Sequence, residues 1–487
     1  MRLPDVEPYQ TQTIKAMTTA DSNDTICAIS TPPGIGGIAV ARVSGPQAIE
    51  VTSRIWQGRP LDGVDSHTAH LGNVTDSRGE MLDQAVATVF VAPKSFTGET
   101  VVELAVHGSR FVQRELIASL IKAGARLAEP GEFTRRAFAA GKMDLAEAEA
   151  VADVIASNSR AAHRIAISQM KGGFSKRIAD LRAKLIDLAS LLELELDFSE
   201  EEVEFASRTQ LRQLASQLND EISRLHRSFA TGNAIKEGIP VAIVGPTNAG
   251  KSSLLNALLG DERAIVSDIH GTTRDTIEET LELGDYLFRF IDTAGIRDTA
   301  DTIERIGIDR SLQAIDKARI IIIVTDATSP LPRDIIDRAV QTQSQSDTPP
   351  AIILLRNKID RLDPAGSETD ISETLSTPTE GRIEIIPISA LTGQGLTTLT
   401  DRLQDAARRD CGTADEDTLV TNLRHAQALA QAHQSTTRLL QGLDTNLPGD
   451  LLAQDLREAL HHLSAITGQI PSTEILATNC SRFCIGK

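Results

Sequence analysis

Pro240-Val-Ala-Ile-Val-Gly-Pro-Thr-Asn-Ala-Gly-Lys-Ser-Ser253 is the stretch on which the reading of this chain turns. Pro240–Val244 is a short apolar run of strand type, and Gly245 to Ser252 is a loop with glycine near each end that closes on a Lys-Ser pair. Ser253–Leu259 then reads as a helix. A loop of this shape turns successive backbone N–H groups toward one point and sets a helix N-terminus behind them, which suits phosphate. Lys251 can reach the β- and γ-phosphates, and the Ser252 hydroxyl can ligate Mg²⁺. A glycine-rich turn before a helix can be purely structural. The strand–loop–helix order together with the Lys-Ser pair argues against that reading.

Three further elements follow in the order such a domain needs. Asp292-Thr-Ala-Gly295 ends the apolar run Leu287–Ile291, Asn357-Lys-Ile-Asp360 ends Ala351–Leu355, and Ser389-Ala390 ends Ile383–Ile388. Asp292 can hold Mg²⁺ through water, and the Gly295 N–H can sense the γ-phosphate. Asp360 offers two acceptor oxygens to the N1–H and N2–H₂ donors of guanine. Adenine lacks that donor pair, and an unpaired buried carboxylate is costly, so the base is expected to be guanine. Asn357 would support the loop, and the Lys358 stem would cover the base. Between the first two elements lies Gly271-Thr-Thr-Arg-Asp275, where Thr273 is the natural second Mg²⁺ ligand from a switch loop.

The residue after Asp-Thr-Ala-Gly is Ile296, where a Ras-like enzyme places a water-orienting glutamine. Hydrolysis therefore needs another water-positioning group and another positive charge. Glu304 and Asn248 are within reach. Arg274 and Arg297 read either as fingers or as loop and surface charges.

Working outward, the chain has 487 residues, about three domains' worth, with 41% hydrophobic and 24% charged residues. Its longest apolar stretch, near Ile320 to Val324, is far short of the ~20 residues of a membrane span, so a cytoplasmic or peripheral protein is expected. Met1 to Ala20 lacks a secretory apolar segment and reads as a disordered extension or an over-early start (residues 1–20). Cys27, Cys411, Cys480 and Cys484 have no zinc or disulfide spacing. The net charge of −18 argues against non-specific nucleic-acid binding by the whole surface, while leaving room for a local basic groove.

The expected fold is multidomain, α+β followed by α/β. Thr25–Ser30, Gly37–Val43, Asp83–Ala92 and Thr100–His107 read as strands and Asp76–Gly79 as a turn, giving an N-terminal α+β domain over residues 21–138. Helical stripes then appear at Leu181, Leu185, Leu188 and Leu192, and at Leu211, Leu214, Leu218, Ile222, Leu225 and Phe229. They return at Leu452, Leu456, Leu460 and Leu463. The economical arrangement is a helical domain in two parts, 139–236 and 401–487, interrupted by a Ras-like parallel α/β domain over 237–400. Thr342–Pro350 reads as a surface loop.

The full set resembles the MnmE (also called TrmE) family of tRNA-modification GTPases, from about Asp24 to Lys487. The resemblance is carried by Thr31-Pro-Pro-Gly-Ile-Gly-Gly37, Ser95-Phe-Thr-Gly-Glu99, Pro130-Gly-Glu-Phe-Thr134 and the terminal Phe483-Cys-Ile-Gly-Lys487. It implies a homodimer joined through the N-terminal domains, working with a flavin (FAD)-dependent partner in a heterotetramer or larger complex. Such a complex places a carboxymethylaminomethyl or aminomethyl group on C5 of the wobble uridine of certain tRNAs. A reduced folate (5-formyl- or methylene-tetrahydrofolate) supplies the one-carbon unit, and Arg42, Glu103, Lys142 and Lys487 stand at the folate positions.

The resemblance also implies K⁺ as the missing positive charge, held by Asn248, Ser267, Ile269 and Thr272, with Glu304 orienting water. The implied GTP/GDP contacts are Asn248, Ala249, Gly250, Lys251, Ser252, Ser253, Ser267, Thr272, Thr273, Asp292, Thr293, Ala294, Gly295, Asn357, Lys358, Asp360, Ser389 and Ala390. Mg²⁺ falls to Ser252 and Thr273. Cys484 is either a nucleophile toward the uridine ring or part of a folate-positioning tail. Thr247, Leu391 and Asn479-Cys480 depart from the family's common residues, the last just before the terminal motif. A regulatory RNA- or ribosome-binding GTPase without modification chemistry is the competing reading, and a folate-binding scaffold is disfavoured by Lys251, Thr273 and Asp292.

Overall fold

A computed structural model describes residues 24–197, 208–260, 279–291, 313–346, 348–362, 383–411 and 419–469, without the side chains of 193–197. In chain order the strands are β1 (Ile26–Ile29), β2 (Gly36–Ser44), β3 (Trp56–Gly58), β4 (Thr68–Thr75), β5 (Met81–Phe90), β6 (Val101–Gly108) and β7 (Arg126–Leu127), then β8 (Ile239–Val244), β9 (Glu279–Leu283), β10 (Tyr286–Ile291), β11 (Ile320–Asp326), β12 (Ala351–Asn357) and β13 (Ile383–Pro387). The helices are α1 (Ala48–Ser53), α2 (Arg110–Lys122), α3 (Glu132–Ala139), α4 (Leu145–Ala156), α5 (Arg160–Met170) and α6 (Gly173–Asp197). They continue with α7 (Arg208–Glu237), α8 (Lys251–Leu259), α9 (Arg333–Gln345), α10 (Leu396–Cys411), α11 (Leu423–Asp444) and α12 (Gly449–Thr467).

These elements group into two compact units, one within Met1–Ala152, Gln169–Arg182 and His461–Lys487, the other within Asp153–Ser168 and Ala183–Leu460. The first unit is built on a sheet of order β3-β4-β5-β6-β2-β1-β7. Neighbouring strands are antiparallel except β1 and β7. Alternation puts Ala39, Ala41, Val43, Ala85, Ala87, Val102 and Leu104 on one face, packed with Val51 of α1 and Leu116 and Leu120 of α2. Strands β3, β4 and β7 carry little periodic signal and are not legible in the sequence pattern.

On the other face of that sheet one row of cross-strand partners runs Leu71, Val86, Ala105, Val40. Leu71 is 66% exposed, and Val86 is also exposed. The next row holds Ala69, Thr88, Glu103 and Arg42.

The second unit is built on a sheet of order β13-β12-β11-β8-β10-β9, parallel throughout except for the β9–β10 hairpin. Its central strands are buried on both sides, which is why Ile320–Val324 reads as a continuous apolar run. One side packs Leu254, Leu255 and Leu258 of α8 and Leu399 and Leu403 of α10. The other packs Ala339 of α9, with Ile335 and Ile336.

Elsewhere in this unit α7 and α11 lie together, tied by Thr436 and Thr437, whose hydroxyls donate to Asn219 Oδ1 at 2.7 and 3.2 Å. The stripe on α7 is buried at Leu211, Leu218, Ile222 and Leu225, but Leu214 is exposed and Ala215 is buried instead. An α-helix turns by about 100° per residue, so Leu214 lies ~60° round from Leu211 at the rim of the buried stripe, while Ala215 lies only ~40° from it on the other side. The expected loop Thr342–Pro350 is corrected in its first half: α9 runs to Gln345, its polar tail extending a helix already seated by Ile335, Ile336 and Ala339.

Candidate nucleotide-binding site

The parallel strands of the second unit end together, and the loops beyond their C-terminal ends form the site, where ligands of open α/β sheets bind. Register sets this: Val244 of β8 lies opposite Ile323 of β11, and Asp326 of β11 opposite Asn357 of β12. The loop after β8 turns through Asn248 at φ +62° and Gly250 at φ +97° into α8, whose first residue is Lys251. A Cβ at Gly250 would lie 2.2 Å from Asn357 Nδ2, so only glycine lets the two loops touch here. Lys251 Nζ donates to the carbonyls of Gly245 and Pro246, each at 2.9 Å, which pins the ammonium to its own loop. Burial lowers the pKa of that ammonium.

Asn357 is the joint of the site. Its side chain is buried; Nδ2 donates to Ala249 O at 2.9 Å, and Oδ1 accepts from Ala390 N at 3.0 Å. One amide therefore binds the phosphate loop on one side and the Ser389-Ala390 loop on the other. Lys358, at φ +66°, donates from Nζ to Asn248 O at 2.6 Å and to Asp326 Oδ2 at 2.9 Å. Buried Ser389 donates from Oγ to Asp360 Oδ1 at 2.5 Å, and Thr392 N donates to Ser389 Oγ at 3.2 Å. Ser389 thus orients the carboxylate that is suited to guanine.

Of the expected nucleotide residues the structure brings together Asn248, Ala249, Gly250, Lys251, Asn357, Lys358, Asp360, Ser389 and Ala390, with Ser252 and Ser253 in the first turn of α8. The expectations placed on Ser267, Ile269, Thr272, Thr273, Asp292, Thr293, Ala294, Gly295, Glu304, Cys484 and Lys487 lie outside the described residues. Asp326 was not anticipated. Its Oδ1 accepts from Thr328 N at 3.0 Å and from Thr328 Oγ1 at 2.8 Å. Burial pushes its carboxyl up, but the Thr328 N–H, Lys358 and the Thr328 hydroxyl outweigh that and hold it down at about 2. The only signal available was an acidic residue one threonine beyond the apolar run Ile320–Val324.

In the first unit Arg42 and Glu103 are cross-strand partners, with Arg42 Nε donating to Glu103 Oε1 at 2.9 Å. The Arg42 guanidinium lies 5.2 Å from the Phe96 ring centre and 5.5 Å from that of Phe133. Lys142 Nζ donates to Pro93 O at 2.9 Å, on the segment that leads to Phe96. Behind them Arg136 pairs with Asp24, Glu99 and buried Glu132. Ser44 Oγ donates to Glu99 Oε2 at 2.7 Å, so a network of compensated charge seats the 95–99 segment beside β2.

Comparison with known proteins covers nearly the whole chain. The family model described as MnmE helical domain matches residues 145–484, and that described as GTP-binding protein TrmE N-terminus matches residues 25–142. The chain is 49% identical over 470 residues to the tRNA modification GTPase MnmE of Parabacteroides distasonis, covering 95% of this chain and 100% of that one. It is 46% identical over 470 residues to the protein of the same name from Cytophaga hutchinsonii, covering 96% and 99%. Among solved structures, a point variant of Aquifex aeolicus Era bound to GDP.AlF4- is 29% identical, covering 41% of this chain and 66% of that one, with a TM-score of 0.27, too low to carry weight. With its nucleotide loops joined through Asn357 and its relatedness running nearly end to end, this chain belongs to the MnmE family, whose curated members are named tRNA modification GTPases.

Proposed function

We propose that this protein is a K⁺-dependent GTPase that acts in tRNA modification. With a flavin-dependent partner it adds a carboxymethylaminomethyl or aminomethyl group to C5 of the wobble uridine, using a reduced folate. The observation that carries the nucleotide half is the Asn357 amide, which makes one site of the phosphate loop and the base loop. Asp360, steadied by Ser389, selects guanine; Lys251 and the α8 N-terminus hold phosphate.

The donor set fits the ions: the Ser252 hydroxyl in the first turn of α8 suits Mg²⁺, and the Asn248 side-chain amide on a left-handed loop residue suits K⁺. Thr273 would complete the Mg²⁺ set, and Ser267, Ile269 and Thr272 the K⁺ set. A bound K⁺ supplies fixed positive charge to the developing phosphate charge. Glu304 orients the water, and Cys484 acts at the uridine or positions the folate-binding tail.

The folate half is supported by the flat ledge that Arg42 makes over Phe96 and Phe133, with Glu103 beside it. Such a ledge can take a pterin ring, with Lys142 and Lys487 for its carboxylates. The apolar row through Leu71 and Val86 supports a homodimer through the N-terminal domain. The proposed division is 21–138, 139–236, 237–400 and 401–487, after an extension at 1–20. No described helix is long and apolar enough to cross a membrane, in keeping with a cytoplasmic place of action.

The first test is a nucleoside profile of bulk tRNA from cells that lack the gene. The wobble modification should vanish, and an unchanged profile would favour a regulatory GTPase. With the purified protein, GTP hydrolysis should rise at least tenfold when K⁺ replaces Na⁺, and equal rates would remove the potassium mechanism.

A further inference from the structure

Lys358 takes part in two contacts that do different things. Donation to Asn248 O at 2.6 Å seats its ammonium on the phosphate loop, one residue before the carbonyl that Asn357 holds. The second contact, 2.9 Å to Asp326 Oδ2, comes from another strand and is not needed to reach the loop. Lys358 also sits at φ +66°, a conformation that L-residues avoid by roughly 1–2 kcal/mol and that persists only where surroundings impose it.

Asp326 is one part of those surroundings, and it is itself held in place. The carboxylate cannot swing away, because Oδ1 is fixed by the N–H and the hydroxyl of Thr328. Arg356, one residue before Asn357, donates from Nη1 to Ser329 O at 3.1 Å and from Nη2 to Ala327 O at 2.7 Å, which fastens the same turn to β12. Ala327 N donates to Asn357 O at 2.7 Å, closing the turn against the base-loop strand.

We propose that Asp326 is a positioning residue for guanine-nucleotide binding, acting through Lys358: it holds the lysine across the phosphate loop at Asn248. The loop is thereby set in its binding shape before nucleotide arrives, and the lysine stem is fixed where the base must lie. This rests on the GTPase reading above and adds to it a residue that touches neither phosphate nor base. Because Asp326 acts on the lysine and the loop, not on the edge of the base, its loss weakens guanine and hypoxanthine nucleotides alike.

The test is titration of the full-length protein with fluorescent GDP and IDP, for the parent and for Asp326→Asn, Lys358→Met and the double variant. Asparagine keeps an acceptor for Thr328 and removes the charge that holds Lys358. Asp326→Asn should weaken GDP and IDP by the same factor, about tenfold for one charge-assisted hydrogen bond. The double variant should bind no more weakly than Lys358→Met alone. Losses that multiply in the double variant, a GDP affinity unchanged in Asp326→Asn, or a loss confined to GDP would each overturn the proposal. A parent protein that binds no guanine nucleotide would instead overturn the GTPase reading, so the two failures are told apart.

Discussion

Asn357 is the most consequential single side chain among the described residues. Truncation to alanine leaves Ala249 O and Ala390 N without their shared partner in a buried place, at a cost of about 1–3 kcal/mol for each group. Asn357→Ala should therefore lower GDP affinity at least tenfold and lower the melting temperature as well, read by titration and by calorimetry. Asp326 gives a pH prediction of definite sign. Its carboxyl is held at about 2 in the folded protein against an ordinary 3.8. A lowered folded value means stability that is present above the ordinary value and lost as pH falls toward the folded one. The stability advantage of the parent over Asp326→Asn should be full above pH ~4 and should shrink toward zero by pH ~2. Acid-unfolding curves of the two proteins would check it; parallel curves through that window would count against the ion pair.

At the scale of elements, the site depends on where strands stop and how helices are seated against their neighbours. Register of β8, β11 and β12 brings three loops to one edge, and no loop does this alone. Helix α7 makes a close approach of the same kind at Gly232, where a Cβ would lie 2.3 Å from Val420 O. Alanine is the better helix former by about 1 kcal/mol, yet the clash is with backbone, which cannot turn aside as a side chain would. Gly232→Ala should thus destabilise by roughly 1–3 kcal/mol, seen as a lower melting temperature with GDP affinity kept. A gain in stability would show that residues 419–421 yield easily. The α9 tail teaches the related lesson that polar composition marks a solvent face, which a helix has as well as a loop.

For the whole molecule, the first unit shows a sheet face on which, among the described residues, Leu71 and Val86 stand exposed. The row Leu71, Val86, Ala105, Val40 is apolar on a sheet face, and a charge there should oppose a second copy. Leu71→Arg should shift the protein from dimer to monomer in light scattering while leaving GDP affinity unchanged. A variant that stays dimeric would place the interface elsewhere. The Arg42–Glu103 pair lies one row away on the same face. The formal charge of −18 leaves recognition of tRNA to local groups and to partners, not to the overall field.

The phosphate loop, the guanine choice, the parallel α/β class of the second unit and the family are all legible in the residues as they stand along the chain. Each is written in contiguous residues: a loop between strand and helix, a Lys-Ser pair, an Asn-Lys-Ile-Asp run, buried strands spelled as apolar runs. Which side chains act on one another is settled by the folded arrangement. Asn357 joins Ala249 to Ala390, Ser389 serves Asp360, Asp326 holds Lys358, and Arg42 meets Glu103 across two strands. Hydrogen bonds and ion pairs act over about 3 Å, so their partners are chosen by strand register and loop closure, which bring distant parts of the chain together. Spacing along the chain does not encode that choice, and Asp326, one acidic residue at the end of an apolar strand, shows where such spacing stops being informative.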